Sequence, residues 1–278
     1  MWYSKQGLGC RSCFFPLQDP RTTALLKNIL YNKNKKTDSE VRHMSKWFYK
    51  NKKIDRELSN KLGIHLDHQD PADRGVETEE DIREFLAADL SKVSDGSELT
   101  DMEKGVSIIQ DAIAAGKHIR IIGDYDVDGV TSTYILYKGL IGLHAKCDKF
   151  IPHRIKDGYG LHENAIRRAR EDGVEVILTC DNGIAAADAV SLAKEFGMTV
   201  VVTDHHEVPF VQEPDGRRYI LPAADAVIDP KRPEDHVFKE ICGAVVAWKF
   251  MGRLYKRFGM EDEFRNSDFL EMASLYCL

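Results

Sequence analysis

From residue 99 onward the chain alternates short apolar runs with stretches of helical periodicity. Met102 to Ala115 places Val106, Ile109, Ala112 and Ile113 on one helical face, and Gly116 follows as a C-terminal stop. His118 to Gly123 reads as a strand and Val130 to Leu143 as a helix. The alternation continues with a strand at Lys146 to Ile151 and a helix at His162 to Glu171. A strand at Val174 to Thr179 then precedes a helix at Ala185 to Phe196. Thr199 to Thr203 and Ala226 to Ile228 are two further strands, and Ile241 to Phe258 is a long closing helix. Apolar strands separated by amphipathic helices predict an α/β fold, a parallel sheet covered by helices on both faces. Ligands of such sheets sit beyond the carboxyl ends of the strands.

Upstream the pattern is weaker. Residues 1–43 lack clear periodicity and carry Pro16, Pro20 and the basic run Lys33-Asn34-Lys35-Lys36. They are expected to form a basic extension, disordered or non-native, with Met44 as the natural start. Residues 44–98 read as a small helical amino-terminal segment. Its helices are expected at Glu57 to Leu62 and Thr78 to Leu86, the latter opened by a capping Thr and acids near the positive helix end. Ser91 to Glu98 reads as a loop, so the catalytic domain is placed at residues 99–278.

Composition narrows the class. The 278 residues are 43% hydrophobic and 30% charged, which excludes a collagen-like or wholly disordered chain. The net charge of −6 conceals an asymmetry. Residues 1–56 hold 13 Lys and Arg against 4 Asp and Glu, and the remainder holds 26 against 41. An acidic body repels polyanions unless metal ions or local basic patches intervene. No apolar run approaches the length of a membrane helix, no signal-peptide core is present, and six cysteines in a chain this long do not make a disulfide scaffold. A cytoplasmic location follows as the expectation.

The chemistry-bearing residues fall at strand ends. Asp124, Asp126 and Asp128 follow the first strand, and Asp181-Asn182-Gly183 follow the third. Asp204-His205-His206-Glu207 follow the next strand, and Asp229 follows the last. Crowded carboxylates repel one another unless a divalent cation neutralises them, and oxygen ligands with one or two imidazoles suit Mg²⁺ or Mn²⁺. The spacing is not that of a calcium-binding loop. The glutamate that loop requires six residues after its glycine is Ile135 here, and a strand rather than a helix precedes. Gly129 and Gly183 permit tight turns, with N–H groups placed to face a phosphate. Cys180 reads as a buried strand-end residue rather than a nucleophile. Cys10 and Cys13 read as incidental thiols, and Trp47, Phe48 and Tyr49 beside Lys50, Lys52 and Lys53 as a packing anchor with a charged rim.

The strings Asp124-Tyr125-Asp126-Val127-Asp128-Gly129, Asp181-Asn182-Gly183 and Asp204-His205-His206 resemble the first three motifs of the DHH phosphoesterase superfamily. Pro152-His153-Arg154, Gly158-Tyr159-Gly160-Leu161, Thr131-Ser132-Thr133 and Ile241-Cys242-Gly243-Ala244 resemble its RecJ-type exonucleases more closely. The resemblance runs from about Met44 to Ala273. It implies a hydrolase that degrades single-stranded DNA from the 5′ end to 5′-mononucleotides in repair and recombination. The implied metal ligands are Asp126, Asp128, Asp181 and His205, holding two Mn²⁺ or Mg²⁺ ions. Asp124 and Asp204 are implied to support them, and His206 to lie beside the scissile phosphate. Arg154 and Lys156 are the nearest basic residues for gripping the substrate backbone. The family's last motif aspartate has no counterpart before Leu278, so an amino-terminal piece of a longer enzyme, weakly active or inactive alone, is expected. A DHH phosphoesterase acting on oligonucleotides, cyclic dinucleotides or nucleotide phosphates is the alternative.

Overall fold

The structure is a computed structural model and describes residues 93–153, 160–237 and 239–275, together with Glu80 and Arg83. The residues from Val93 onward form one compact unit. The expected extension at 1–43, the expected helix at Glu57 to Leu62, the expected helix at Thr78 to Leu86 apart from the helical Glu80 and Arg83, the aromatic-basic cluster at Trp47 to Lys53, and Arg154 and Lys156 lie outside the described residues.

The unit opens with helix α1 (Met102–Ala114). Strand β1 (Ile119–Ile122), helix α2 (Val127–Gly142), strand β2 (Cys147–Phe150) and helix α3 (Glu163–Glu171) follow. Next come β3 (Val176–Cys180), α4 (Ala187–Glu195) and β4 (Thr199–Thr203), then a hairpin of β5 (Phe210–Glu213) and β6 (Gly216–Tyr219). The chain continues through β7 (Ala226–Ile228), α5 (Gly243–Arg257), α6 (Glu261–Arg265) and α7 (Phe269–Leu275). Five strands form one sheet in the order β2-β1-β3-β4-β7, and every neighbouring pair is parallel. The parallel sheet expected from the alternating pattern is therefore present. β3, the middle strand, is buried along its whole length, as a continuous apolar run requires.

The two faces are covered by different helices. Ile166 and Ala169 of α3 and Val190 and Ala193 of α4 pack with Ile122, Ile177, Val200 and Val202 of the strands in one apolar cluster. On the other face α5 packs against α1 and α2, and Phe250, Met251 and Leu254 of α5 are buried there. Burying so much aliphatic surface, at about 25 cal/mol per Å², is the main favourable contribution to this fold.

Strand order decides where a ligand belongs. The chain leaves β1 through α2 to β2 on one side, then crosses through α3 to β3 on the other side of β1. The direction of winding reverses between β1 and β3, which opens a crevice at their carboxyl ends. The motifs Asp124–Asp128 and Asp181–Gly183 occupy those two ends, and Asp204–Glu207 follows the next strand, β4.

Three elements depart from the expected pattern. Helix α2 starts at Val127, not Val130, because Asp126 caps it: its Oδ1 accepts from Gly129 N at 2.9 Å. Asp128 therefore lies in the first helical turn rather than in a loop. The β5–β6 hairpin was not expected, although Pro214-Asp215-Gly216 is turn chemistry. The helix expected to close the chain is followed by two short further helices, α6 and α7.

Candidate metal centre

The loop after β1 is held by its own acids. Asp126 is exposed and serves as the N-cap of α2. Asp124 is fully buried, and the groups near its carboxylate that favour the charged form are the backbone N–H groups of Tyr125 and Gly160 and the charge of His206. Burial pushes its carboxyl above the usual carboxylate range, with the neighbouring Asp126 charge adding to the shift. Gly129 donates its N–H to Asp126, which corrects the expectation that this group faces a phosphate.

The loop after β3 is strained. Asp181 has φ 60, a left-handed conformation uncommon for a residue with a side chain, and Gly183 follows with φ 115. The turn is tied down from several sides. Asp181 N donates to Thr203 O of β4 at 3.1 Å. Asn182 Nδ2 donates to Ile122 O of β1 at 3.1 Å and to Cys180 O at 2.8 Å, bridging the two strands that flank the crevice. The strain fixes Asp181, almost fully buried, with Oδ1 outside any hydrogen bond and 3.0 Å from His205 Nε2. Its pKa is pushed up to about 8, by burial first and then by the charge of Asp126.

Asp204 is buried and anchored by backbone donors. Oδ2 accepts from Ile184 N at 2.9 Å, and Oδ1 from His205 N at 2.7 Å. The same Oδ1 lies 2.7 Å from His206 Nδ1. Burial opposes ionisation of Asp204, but His206 and these N–H groups prevail and hold its carboxyl below the usual range. His206 in turn rises to about 9, chiefly through this hydrogen bond. It is therefore an imidazolium at neutral pH, its Nδ1–H committed to Asp204.

Asp128 sits behind this group. Its oxygens accept from the first two N–H groups of α5, Gly243 at 2.8 Å and Ala244 at 2.7 Å, and Oδ2 is 3.3 Å from His205 Nε2. A helix amino terminus favours a carboxylate through its orphan N–H groups and its dipole. Burial and the neighbouring Cys242 and Asp181 nevertheless raise the Asp128 pKa to about 8. Gly243 also leaves room for Asp181 beside it, because a Cβ there would lie 2.7 Å from Asp181 Oδ1.

Among the described residues, two groups of side chains offer ligand atoms within 4.8 Å of one another: Asp124, Asp126 and Asp181, and Asp181, His205 and His206. Asp181 belongs to both. Asp128 falls outside both groups but touches the second through His205. Oxygen donors with imidazole, a buried Asp181 oxygen outside any hydrogen bond and mutually raised pKa values are what a hard divalent cation relieves. The donor set fits Mg²⁺ or Mn²⁺.

Asp229 is the strand-end acid that the sequence places after the last strand. It is fully buried at the end of β7, with Oδ2 lacking a partner and a pKa near 7 from burial and from Asp204. Cys180 is fully buried with Thr133 Oγ1 3.5 Å from its sulfur, and burial pushes its thiol up, so it is no nucleophile.

The model of the DHH family, N-terminal domain, matches residues 118–276. The single-stranded-DNA-specific exonuclease RecJ of Bacillus subtilis is 41% identical over 177 residues, covering 63% of this chain and 21% of that protein. The RecJ of Escherichia coli is 34% identical over 182 residues, covering 65% and 29%. A crystal structure of exonuclease RecJ bound to manganese superposes with a TM-score of 0.53 and 31% identity, over 64% of this chain and 43% of that one. The chain thus spans between a fifth and a third of the length of these two curated relatives.

Proposed function

Since the chain belongs to the DHH family, we propose that it carries the metal centre of a phosphodiesterase that degrades single-stranded DNA from its 5′ end, releasing 5′-mononucleotides in repair and recombination. The observation that carries this reading is the convergence of Asp124, Asp126, Asp181, His205 and His206 at the crevice between β1 and β3. The names of the relatives support the substrate, and the manganese-bound structure supports the ion.

Asp126, Asp128, Asp181 and His205 would hold the ions, with Asp124 and Asp204 supporting them; Asp181 belongs to both groups of converging side chains. When bound, two divalent ions supply Lewis acidity on both sides of a phosphodiester and neutralise the carboxylates around them. The protein's own groups then orient and transfer protons. Asp204 fixes the His206 ring through Nδ1 and keeps it cationic, so that the imidazolium can serve as the acid for the departing oxygen of the scissile ester. Asn182 and the α5 amides hold Asp181 and Asp128 in place, so little reorganisation is needed when substrate arrives. Arg154 and Lys156 are proposed to grip the substrate backbone. The proposed domain layout is an extension at 1–43, a helical segment at 44–98 and the catalytic domain from 99. A cytoplasmic location is proposed as well. In its support, Cys147, Cys180 and Cys242 are free thiols. No helix among the described residues is long and apolar enough to cross a membrane.

The test incubates the chain with Mn²⁺ and a labelled single-stranded oligonucleotide, beside the same strand in duplex form and beside a dinucleotide. Mononucleotide release from the single strand, weaker than that of a complete RecJ relative and abolished in Asp126→Ala and His205→Ala, is expected. Cleavage of the dinucleotide in preference to the longer strand would overturn the assignment of substrate.

A further inference from the structure

The β5–β6 hairpin belongs to neither the sheet nor the metal centre, and all eight of its strand residues are exposed. Isolated two-stranded hairpins are marginal in water, so one that persists needs an anchor. Here the anchor is at its base. Val208 is buried in the apolar cluster beneath β4, and Ile220 N donates to Pro209 O at 2.7 Å. The tip projects beyond.

The two faces of the hairpin differ in chemistry. Register pairs Phe210 with Tyr219 and Gln212 with Arg217, which puts these four side chains on one face. The rings of Phe210 and Tyr219 lie with centroids 6.0 Å apart, and the Arg217 guanidinium stacks over Phe210 at 4.3 Å. Phe210 is 45% exposed and Tyr219 37%. Arg217 has no carboxylate partner among the described residues. On the opposite face Arg218 is neutralised by Glu213 at 2.6 Å, beside Val211.

An exposed aromatic pair with a stacked, uncompensated guanidinium matches two needs of a single-stranded nucleic acid. Its bases stack on π faces, and its phosphates attract a cation. Position argues for the same occupant. Phe210 follows His206 by four residues, so the hairpin rises from the edge that carries the metal centre. We propose that the Phe210–Tyr219–Arg217 face is a base-stacking platform for the single strand entering the site. This inference rests on the reading that single-stranded DNA is the substrate, and it adds a binding element outside the metal centre.

The test measures fluorescence anisotropy of a labelled, phosphorothioate-linked oligothymidylate with the full chain in Mn²⁺. Phe210→Leu and Tyr219→Ala are each expected to weaken binding about tenfold, and Phe210→Trp to retain it. Arg217→Gln is expected to weaken binding and flatten its salt dependence. Val211→Ala and Arg218→Gln, on the other face, are expected to leave it unchanged. An oligonucleotide with abasic positions is expected to bind the wild-type chain weakly and to be insensitive to loss of the rings. Wild-type binding that Phe210→Leu and Tyr219→Ala leave intact overturns the platform alone. Absence of wild-type binding overturns the platform and the substrate reading together. Ring variants that change the sedimentation of the chain but not its DNA affinity would show a contact between copies instead, and overturn the platform too.

Discussion

Asp181→Asn should make the metal-free protein more stable while removing its response to metal. In the native chain this carboxyl is almost fully buried beside other acids, and its pKa is pushed up to about 8 from the ordinary aspartate value of about 4. A raised carboxylate pKa means that the folded state holds a proton the unfolded chain releases. Stability is thus highest below the unfolded value and falls as pH rises from about 4 toward about 8. At pH 7 the displacement corresponds to about 4 kcal/mol by linkage, at about 1.4 kcal/mol per pKa unit. Part of this arises from repulsion shared with Asp124, Asp126 and Asp204, so about half, roughly 2 kcal/mol, belongs to the single substitution. Asparagine also tolerates φ 60 at least as well as aspartate. For a unit of this size about 2 kcal/mol raises Tm by about 4–8 °C. Circular dichroism melts in EDTA at several pH values read the effect directly. The wild-type Tm should fall between pH 5 and pH 8, and the variant's should fall less. Added Mn²⁺ at a hundredfold excess over its Kd should stabilise the wild type by about 3 kcal/mol and leave the variant unmoved. A variant that melts at or below the wild type in EDTA would refute the electrostatic reasoning, because the carboxylate would then be contributing stability rather than costing it.

Gly243→Ala places a Cβ 2.7 Å from Asp181 Oδ1. We expect a loss of about 1–3 kcal/mol by chemical denaturation and weakened Mn²⁺ binding by calorimetry, whereas Ala244→Gly should spare the metal. Mn²⁺ binding at pH 7 should release protons, because Asp128 and Asp181 are largely protonated without it. Calorimetry in buffers of different ionisation enthalpy should show that release shrinking as pH passes about 8. Arg120→Met, far from the metal centre, breaks a bidentate contact with Asp148 at 2.7 Å and a 2.8 Å contact with Asp172. It should cost about 1–3 kcal/mol, less than a deeply buried pair because Asp148 and Asp172 are partly solvated, and leave the Mn²⁺ affinity unchanged.

The sequence shows where the acids lie along the chain but not which neighbour each one acquires. Asp124, Asp181 and Asp204 were readable as strand-end residues because continuous apolar runs such as Val176 to Cys180 mark buried parallel strands without any tertiary information. Strand order was not readable. Nothing local distinguishes β3 beside β1 from β3 beyond β2, yet that choice creates the crevice. The same limit hides the cradle of Asp128. Its oxygens are satisfied by Gly243 and Ala244, 115 and 116 positions away, and no period or motif spacing reaches that far. The hairpin escaped for the opposite reason. Its strands bury nothing, so they lack the alternation that betrays a half-buried strand, and only Pro214-Asp215-Gly216 betrays the turn. Asp229 marks the boundary between the two cases. The sequence places it at a strand end like the others. Only burial of its unpartnered oxygen beside Asp204 shows that it bears on the electrostatics of the centre. Legibility here follows range: what a residue does within its own strand or turn is written locally, and what it does across the crevice depends on the fold.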